Sequence, residues 1–298
     1  MGGKAFAQGV SPLMIPRMPT EIYLLVRDAT HKCVRSFFRN VATLLEAPDK
    51  ATYGEIDVLV SDPFSGNLPS IDTLTTRLAA RQSRSATNSP TTSFAVPYPG
   101  RFTDFIQIDM HVCSCAMFEW QVFHHSHGEL WNLLGTSLRP FGLTANSEGL
   151  NIRIEEIEAS DKERSMVLLT REPKRVMTLL GINIDKCTKP FINMEEMYVL
   201  VTSCRFSMPN IYQRPTKGER SEKNEPKRGL PRFCSRMVTK TMPNITSSLF
   251  GFAVMLPGHR RMSKSFRPIE RMSLRLLSNH VTAILEPGVS MLTFQHVE

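Results

Sequence analysis

The sequence predicts an α+β protein, a small mixed β-sheet with helices on one face, followed by a mainly helical segment. Two observations carry the sheet. In residues 53–60, Ile56, Val58 and Val60 alternate with Glu55, Asp57 and Leu59. In residues 104–113, Ile106, Ile108, Met110 and Val112 alternate with Gln107, Asp109, His111 and Cys113. An apolar residue at every second place is the period of a strand with one buried face. A third observation supplies the helices. Ile22, Leu25, Val26, Ala29, Cys33 and Phe37 recur at spacings of three and four, which marks one helical face.

The elements follow in order. After a proline-marked loop from Pro12 to Pro19, Thr20 opens a helix running to about Arg39. Val41 to Leu45 reads as a short strand, and Pro48-Asp49-Lys50 as a turn. The strand at 53–60 stops in turn-rich text from Asp62 to Pro69, and a helix follows from Ile71 to Gln82. Residues 81–98 read as a flexible excursion, because Arg81 to Pro90 is rich in Ser, Thr, Asn and Arg. The strand at 104–113 closes a first domain, residues 1–114. Residues 115–206 read as a mainly helical second lobe. Its helices are Met117 to Leu138 (broken near Gly128), Glu172 to Leu180 and Met194 to Phe206, with one strand near 149–156. Residues 207–298 read as a basic tail, with linker-like text from Tyr212 to Arg232.

Charge and composition narrow the function classes. The formal net charge is +8 over 298 residues. Arg205 to His280 holds 16 Lys or Arg against 4 Asp or Glu, so that stretch is +12 and the remainder −4. A basic run of this density attracts a phosphate backbone by counterion release. A solvated, partly disordered tail is the plainer reading. No run of about 18 apolar residues occurs, so no membrane partner is expected. No basic segment followed by an apolar stretch opens the chain, so the expectation is an intracellular protein of the nucleus or cytoplasm. The six cysteines lack the paired spacing of a zinc site and read as reduced structural thiols.

The acids carry the chemistry. An acid-x-acid pair on a strand, here Glu55 and Asp57, puts two carboxylates on the same face about 6–7 Å apart at the backbone. A third acid on a neighbouring strand, Asp109, completes a pocket of hard oxygen ligands. Magnesium or manganese suits such a pocket and also uses substrate phosphates. Two such ions about 3.5–4 Å apart can activate a hydroxyl and stabilise a leaving pyrophosphate. The plain alternative is an exposed strand with ordinary surface acids. His124, His125 and His127 do not place two rings at i and i+4 and read as a solvated helix end. His111 reads as a satisfied structural histidine, Lys50 as a turn residue, and Trp120 and Trp131 as core.

The order of these motifs resembles the DNA polymerase beta type nucleotidyltransferases, which include poly(A) polymerases and CCA-adding enzymes. Their signature is a Gly-Gly or Gly-Ser turn before a helix, then an acid-x-acid strand, then one acid on a later strand. Gly2-Gly3, Glu55-Ile56-Asp57 and Asp109 follow that order. Gly128-Glu129-Leu130-Trp131 and Leu169-Thr170-Arg171-Glu172-Pro173 resemble uncharacterised fungal proteins carrying this kind of domain. The resemblance covers roughly residues 2–155 and implies the nucleotidyltransferase fold. It implies transfer of a nucleoside monophosphate from a nucleoside triphosphate to a hydroxyl acceptor, such as an RNA 3′ end. Gly2 and Gly3 would then approach the triphosphate through backbone amides, with Lys4 beside a phosphate. Glu55, Asp57 and Asp109 would bind metal, and Asp109 would take the proton of the attacking hydroxyl. Two features depart from the pattern. Glu55 stands where the family usually has Asp, and about 50 residues separate Gly3 from the acid pair. The competing readings are a catalytically degenerate member that binds nucleotide or nucleic acid, and an unrelated interaction protein with a basic tail.

Overall fold

The structure is a computed structural model and describes residues 4–8, 11–86, 89–158 and 160–207. Gly2, Gly3 and the basic tail from residue 208 onward lie outside the described residues. The described chain forms two compact units. The first runs up to residue 128 and takes in 188–192; the second holds 129–187 and the described residues from 193.

The first unit contains α1 (Thr20–Val34), β1 (Phe38–Thr43), β2 (Glu55–Pro63), α2 (Ile71–Arg77), β3 (Gln82–Ser85), β4 (Thr91–Pro97), β5 (Phe105–Val112) and α3 (Cys115–His125). Its strands form one five-stranded sheet in the order β1-β2-β5-β4-β3. Only β2 and β5 run parallel; the other neighbours are antiparallel, so the sheet is mixed, as the sequence predicts.

The strand period decides what each face does. Ile56, Val58 and Val60 of β2 meet Ile106, Ile108 and Met110 of β5 and Phe94 and Val96 of β4 in one apolar core. Tyr23, Val26 and Val34 of α1 and Leu74 of α2 cover it. Burying one such side chain contributes about 1.5–3 kcal/mol. In α1 the buried residues Tyr23, Val26, Thr30 and Val34 sit at helical spacing, so the helix turns one stripe onto the sheet. The helix ends earlier than the predicted Arg39. Phe38, 1% exposed, instead opens β1, because a core place in the sheet outweighs one more helical turn.

The predicted excursion at 81–98 is a correction. Gln82–Ser85 and Thr91–Pro97 form an antiparallel ribbon that continues the sheet beyond β5. Backbone pairing of β4 with β5, and of β3 with β4, holds this segment despite its polar text.

The predicted helix from Met117 to Leu138 divides where the break was expected. His127 and Gly128 both take left-handed backbone, φ 62° and 57°, which no α-helix can pass through. The second unit then carries α4 (Leu130–Leu138), β6 (Leu143–Asn146), β7 (Gly149–Arg153), α5 (Glu155–Glu158), β8 (Met166–Thr170), α6 (Pro173–Leu180) and α7 (Met194–Ser203). A three-stranded antiparallel sheet, β6-β7-β8, stands where the sequence suggested one strand. Among the described residues no helix is long and apolar enough to cross a membrane.

Candidate metal centre

The parallel pairing of β2 and β5 builds the site. Its register sets Asp57 directly across from Asp109, and Glu55 across from Gln107. Neighbouring strands lie about 4.8 Å apart. The registered pair Asp57 and Asp109 therefore stands on adjacent strands at that spacing. Glu55, two residues upstream on the same face, reaches them with its longer side chain. One carboxylate oxygen from each acid lies within 4.8 Å of the others, and all three residues are half-buried. Among the described residues this is the one such group of acids, histidines or cysteines.

Neighbouring polar groups hold two of the acids. Ser93 of β4, paired with Asp109 across the ladder, donates its hydroxyl to Asp109 Oδ1 at 2.6 Å. Gln107 Nε2 donates to Asp109 Oδ1 at 3.0 Å and Oδ2 at 2.9 Å, and to Glu55 Oε2 at 3.3 Å. Gln107 is 3% exposed. Its carbonyl accepts the backbone N–H of Ala5 at 3.0 Å.

Asp57 bears the electrostatic load. Burial pushes its pKa up to about 7, and the charges of Glu55, Asp109 and Glu46 add to the rise. Lys50 opposes it. That lysine forms an ion pair with Glu46 and stands 4.9 Å from the Tyr53 ring centre. Tyr23 also donates to Glu46 at 2.9 Å and stacks on Tyr53 at 4.0 Å. Among the described residues no lysine or arginine forms an ion pair with Asp57 or Asp109. Three carboxylate oxygens converging on one sheet face form a candidate cation site. The donor set is all oxygen, which fits a hard divalent ion.

The structure thus brings together Glu55, Asp57 and Asp109. Lys4 is exposed and adjoins Ala5, the residue bonded to Gln107. The other candidates fall outside the acid group. His111 shares a ring-nitrogen hydrogen bond of 2.9 Å with Thr91 and bonds Gln121 of α3, and burial lowers its pKa. Lys50 reaches beyond its turn, to Glu46 and Tyr53. The solvated reading of the histidine cluster needs correction at His127, which is 0% exposed. Its N–H donates to Leu45 and its ring lies 4.6 Å from Phe191, so packing rather than water receives it. Burial pushes the Cys113 thiol up to about 11, which suits a packing residue. Trp120 and Trp131 are buried, as predicted. Gln107 and Ser93 are the residues that motif reasoning passed over. The available signal was position: Gln107 lies two residues before Asp109 on the same strand face.

No protein-family model matches the sequence, and no curated protein matches it. Among solved structures, the chain is similar to Leishmania infantum polymerase beta in a ternary P/T complex. That similarity has 12% sequence identity and a TM-score of 0.42, and covers 56% of this chain and 74% of the other.

Proposed function

We propose that this chain transfers a nucleoside monophosphate from a nucleoside triphosphate to a hydroxyl acceptor, an RNA 3′ end being the first acceptor to test. One observation carries the reading: Glu55, Asp57 and Asp109 present an oxygen each within 4.8 Å on one sheet face. The rise of Asp57 to about 7 supports it, since a pocket that resists its own ionisation gains most from a cation.

Glu55, Asp57 and Asp109 would hold the ions. Bound divalent ions supply charge neutralisation and a more acidic hydroxyl. The protein's own groups do the positioning. Ser93 and Gln107 fix the plane of Asp109, which we assign to the proton of the attacking hydroxyl. Gln107 also steadies Glu55, whose extra methylene would otherwise leave it more rotamers. Ala5 is bonded to Gln107 at this site, and Lys4 is its neighbour in the chain. Backbone amides there would meet the triphosphate, and Lys4 would add charge. The basic tail would supply salt-sensitive affinity for a nucleic-acid acceptor.

Incubation with magnesium or manganese, each labelled nucleoside triphosphate and an RNA oligonucleotide with a free 3′ hydroxyl tests the reading. We expect metal-dependent extension with pyrophosphate release. Asp57→Ala should lower it by at least about 1,000-fold, the scale of losing a group that acts in the transition state. Tight binding of triphosphate without turnover on any acceptor would instead mark a catalytically degenerate binder.

A further inference from the structure

We infer that Gln107 is a positioning residue through which the carboxylate pocket sets the order of the N-terminal segment 4–8. The inference rests on the metal-binding reading of the three acids.

Gln107 uses both ends of its carboxamide. The amino group points at the acids, with three contacts to Glu55 and Asp109 between 2.9 and 3.3 Å. The carbonyl accepts from Ala5 at 3.0 Å. A primary amide can flip, exchanging its donor and acceptor ends. Here the carboxylates prohibit the flip, because a carbonyl turned toward them would meet like charge. The acids therefore hold the amide, and the amide holds Ala5.

The rest of the segment is tied to β3 by separate means. Arg84 donates to Ala5 O at 2.7 Å and to Gln8 O at 2.6 Å, and its guanidinium lies 5.3 Å from the Phe6 ring centre. Phe6 is fully buried. Arg84 thus fixes where the segment lies, while Gln107 links the Ala5 amide to the acids through its own carboxamide. A cation that pins Glu55 and Asp109 removes their residual motion, and with it the freedom of the acceptor that Ala5 uses. Segment order then follows metal occupancy.

Hydrogen exchange of the amides of residues 4–8 tests this in the full chain. It is measured with and without saturating magnesium chloride, and Mn2+ binding is followed separately by electron paramagnetic resonance. In the wild type, saturating magnesium should slow exchange at Ala5 about fivefold, the scale of strengthening one hydrogen bond. Gln107→Leu removes both ends of the amide, so Ala5 should exchange fast and ignore magnesium. Gln107→Glu keeps an acceptor for Ala5 but loses both amide N–H donors to the acids. There Ala5 should stay protected while losing its magnesium response. This second variant carries the test if the leucine variant fails to fold. A wild type that binds Mn2+ yet leaves Ala5 exchange unmoved by magnesium would overturn the inference, as would variants that keep the full response. A wild type that binds no Mn2+ removes the metal reading itself, and this inference falls with it.

Discussion

The two faces of the five-stranded sheet are written by alternate residues of the same strands. On β5, Ile108 is 0% exposed within the apolar core, while its neighbour Asp109 joins the acid group on the other side. On β4, Phe94 is fully buried and its neighbour Ser93 bonds Asp109. The apolar face is stabilised by contact, and every side chain on it wants to be there. The acid face gathers three carboxylates, and burial together with the charges of Glu55 and Asp109 disfavours ionisation of Asp57, as its raised pKa shows. A strand can thus hold a stable core and an acidic pocket one residue apart. The stability of the first face offsets the cost of the second.

The largest expected effect breaks the apolar face. Ile108→Ala should lower unfolding free energy by about 3–4 kcal/mol, through lost burial and the cavity left behind. Urea unfolding followed by far-ultraviolet circular dichroism measures it. If Ile108→Ala costs under about 1 kcal/mol, the core does not close on β5 as described.

The second prediction reverses the sign on the other face. The Asp57 carboxyl has an ordinary pKa of 3.8 in the unfolded chain and about 7 in the folded one. Below 3.8 both states hold the proton, and Asp57 costs nothing. As pH rises toward 7 the unfolded chain gives up its proton while the folded chain keeps it, so stability falls, and the loss is complete above 7. The full rise would be worth at most about 4 kcal/mol. Solvent in a half-buried pocket reduces that. Asp57→Asn should therefore stabilise the metal-free protein by about 1–2 kcal/mol at pH 8, with a gain that shrinks toward zero near pH 4. Thermal melts across that range measure it. Saturating magnesium should cancel the gain, because the wild type then binds the ion better than the variant does. A stabilisation equal at pH 4 and pH 8 would show that charge is not its cause.

The contrast between the faces also explains what was legible in the sequence. Glu55, Asp57 and Asp109 could be read because β2 and β5 carry clean period-two alternation, which places acids and core residues on opposite sides. Parallel pairing in register then needed only that both strands belong to one sheet. The β3–β4 ribbon could not be read the same way. Thr91 and Ser93 face His111 and Asp109 in the ladder, so their polarity belongs to the pocket. Without the pocket in view, that polarity looks like loop text. Gln107 was visible as a same-face neighbour of Asp109, but its bond to Ala5 spans 102 positions of sequence. Local pattern holds no trace of such a contact. In the second unit, Leu143–Asn146 and Met166–Thr170 are too short for periodicity to separate strand from other structure.

The smallest effect sharpens the comparison within β4 itself. Ser93→Ala removes the hydroxyl that donates to Asp109 at 2.6 Å and leaves the strand's pairing and Phe94 untouched. A hydrogen bond to a charged acceptor is worth about 1.5–3 kcal/mol when wholly desolvated. Water reaching a half-buried carboxylate replaces part of it, so stability should fall by only about 1 kcal/mol. Asp109 would, however, lose one of the two groups that fix its plane. Misplacing a group that acts in the transition state should cost turnover more than it costs stability, and about a tenfold drop in the maximal rate is expected with little change in folding. Ser93→Thr keeps the hydroxyl on a β-branched side chain suited to a strand and should restore most of the rate. If the alanine variant turns over at the wild-type rate, the orientation of Asp109 owes nothing to β4, and Gln107 alone sets it.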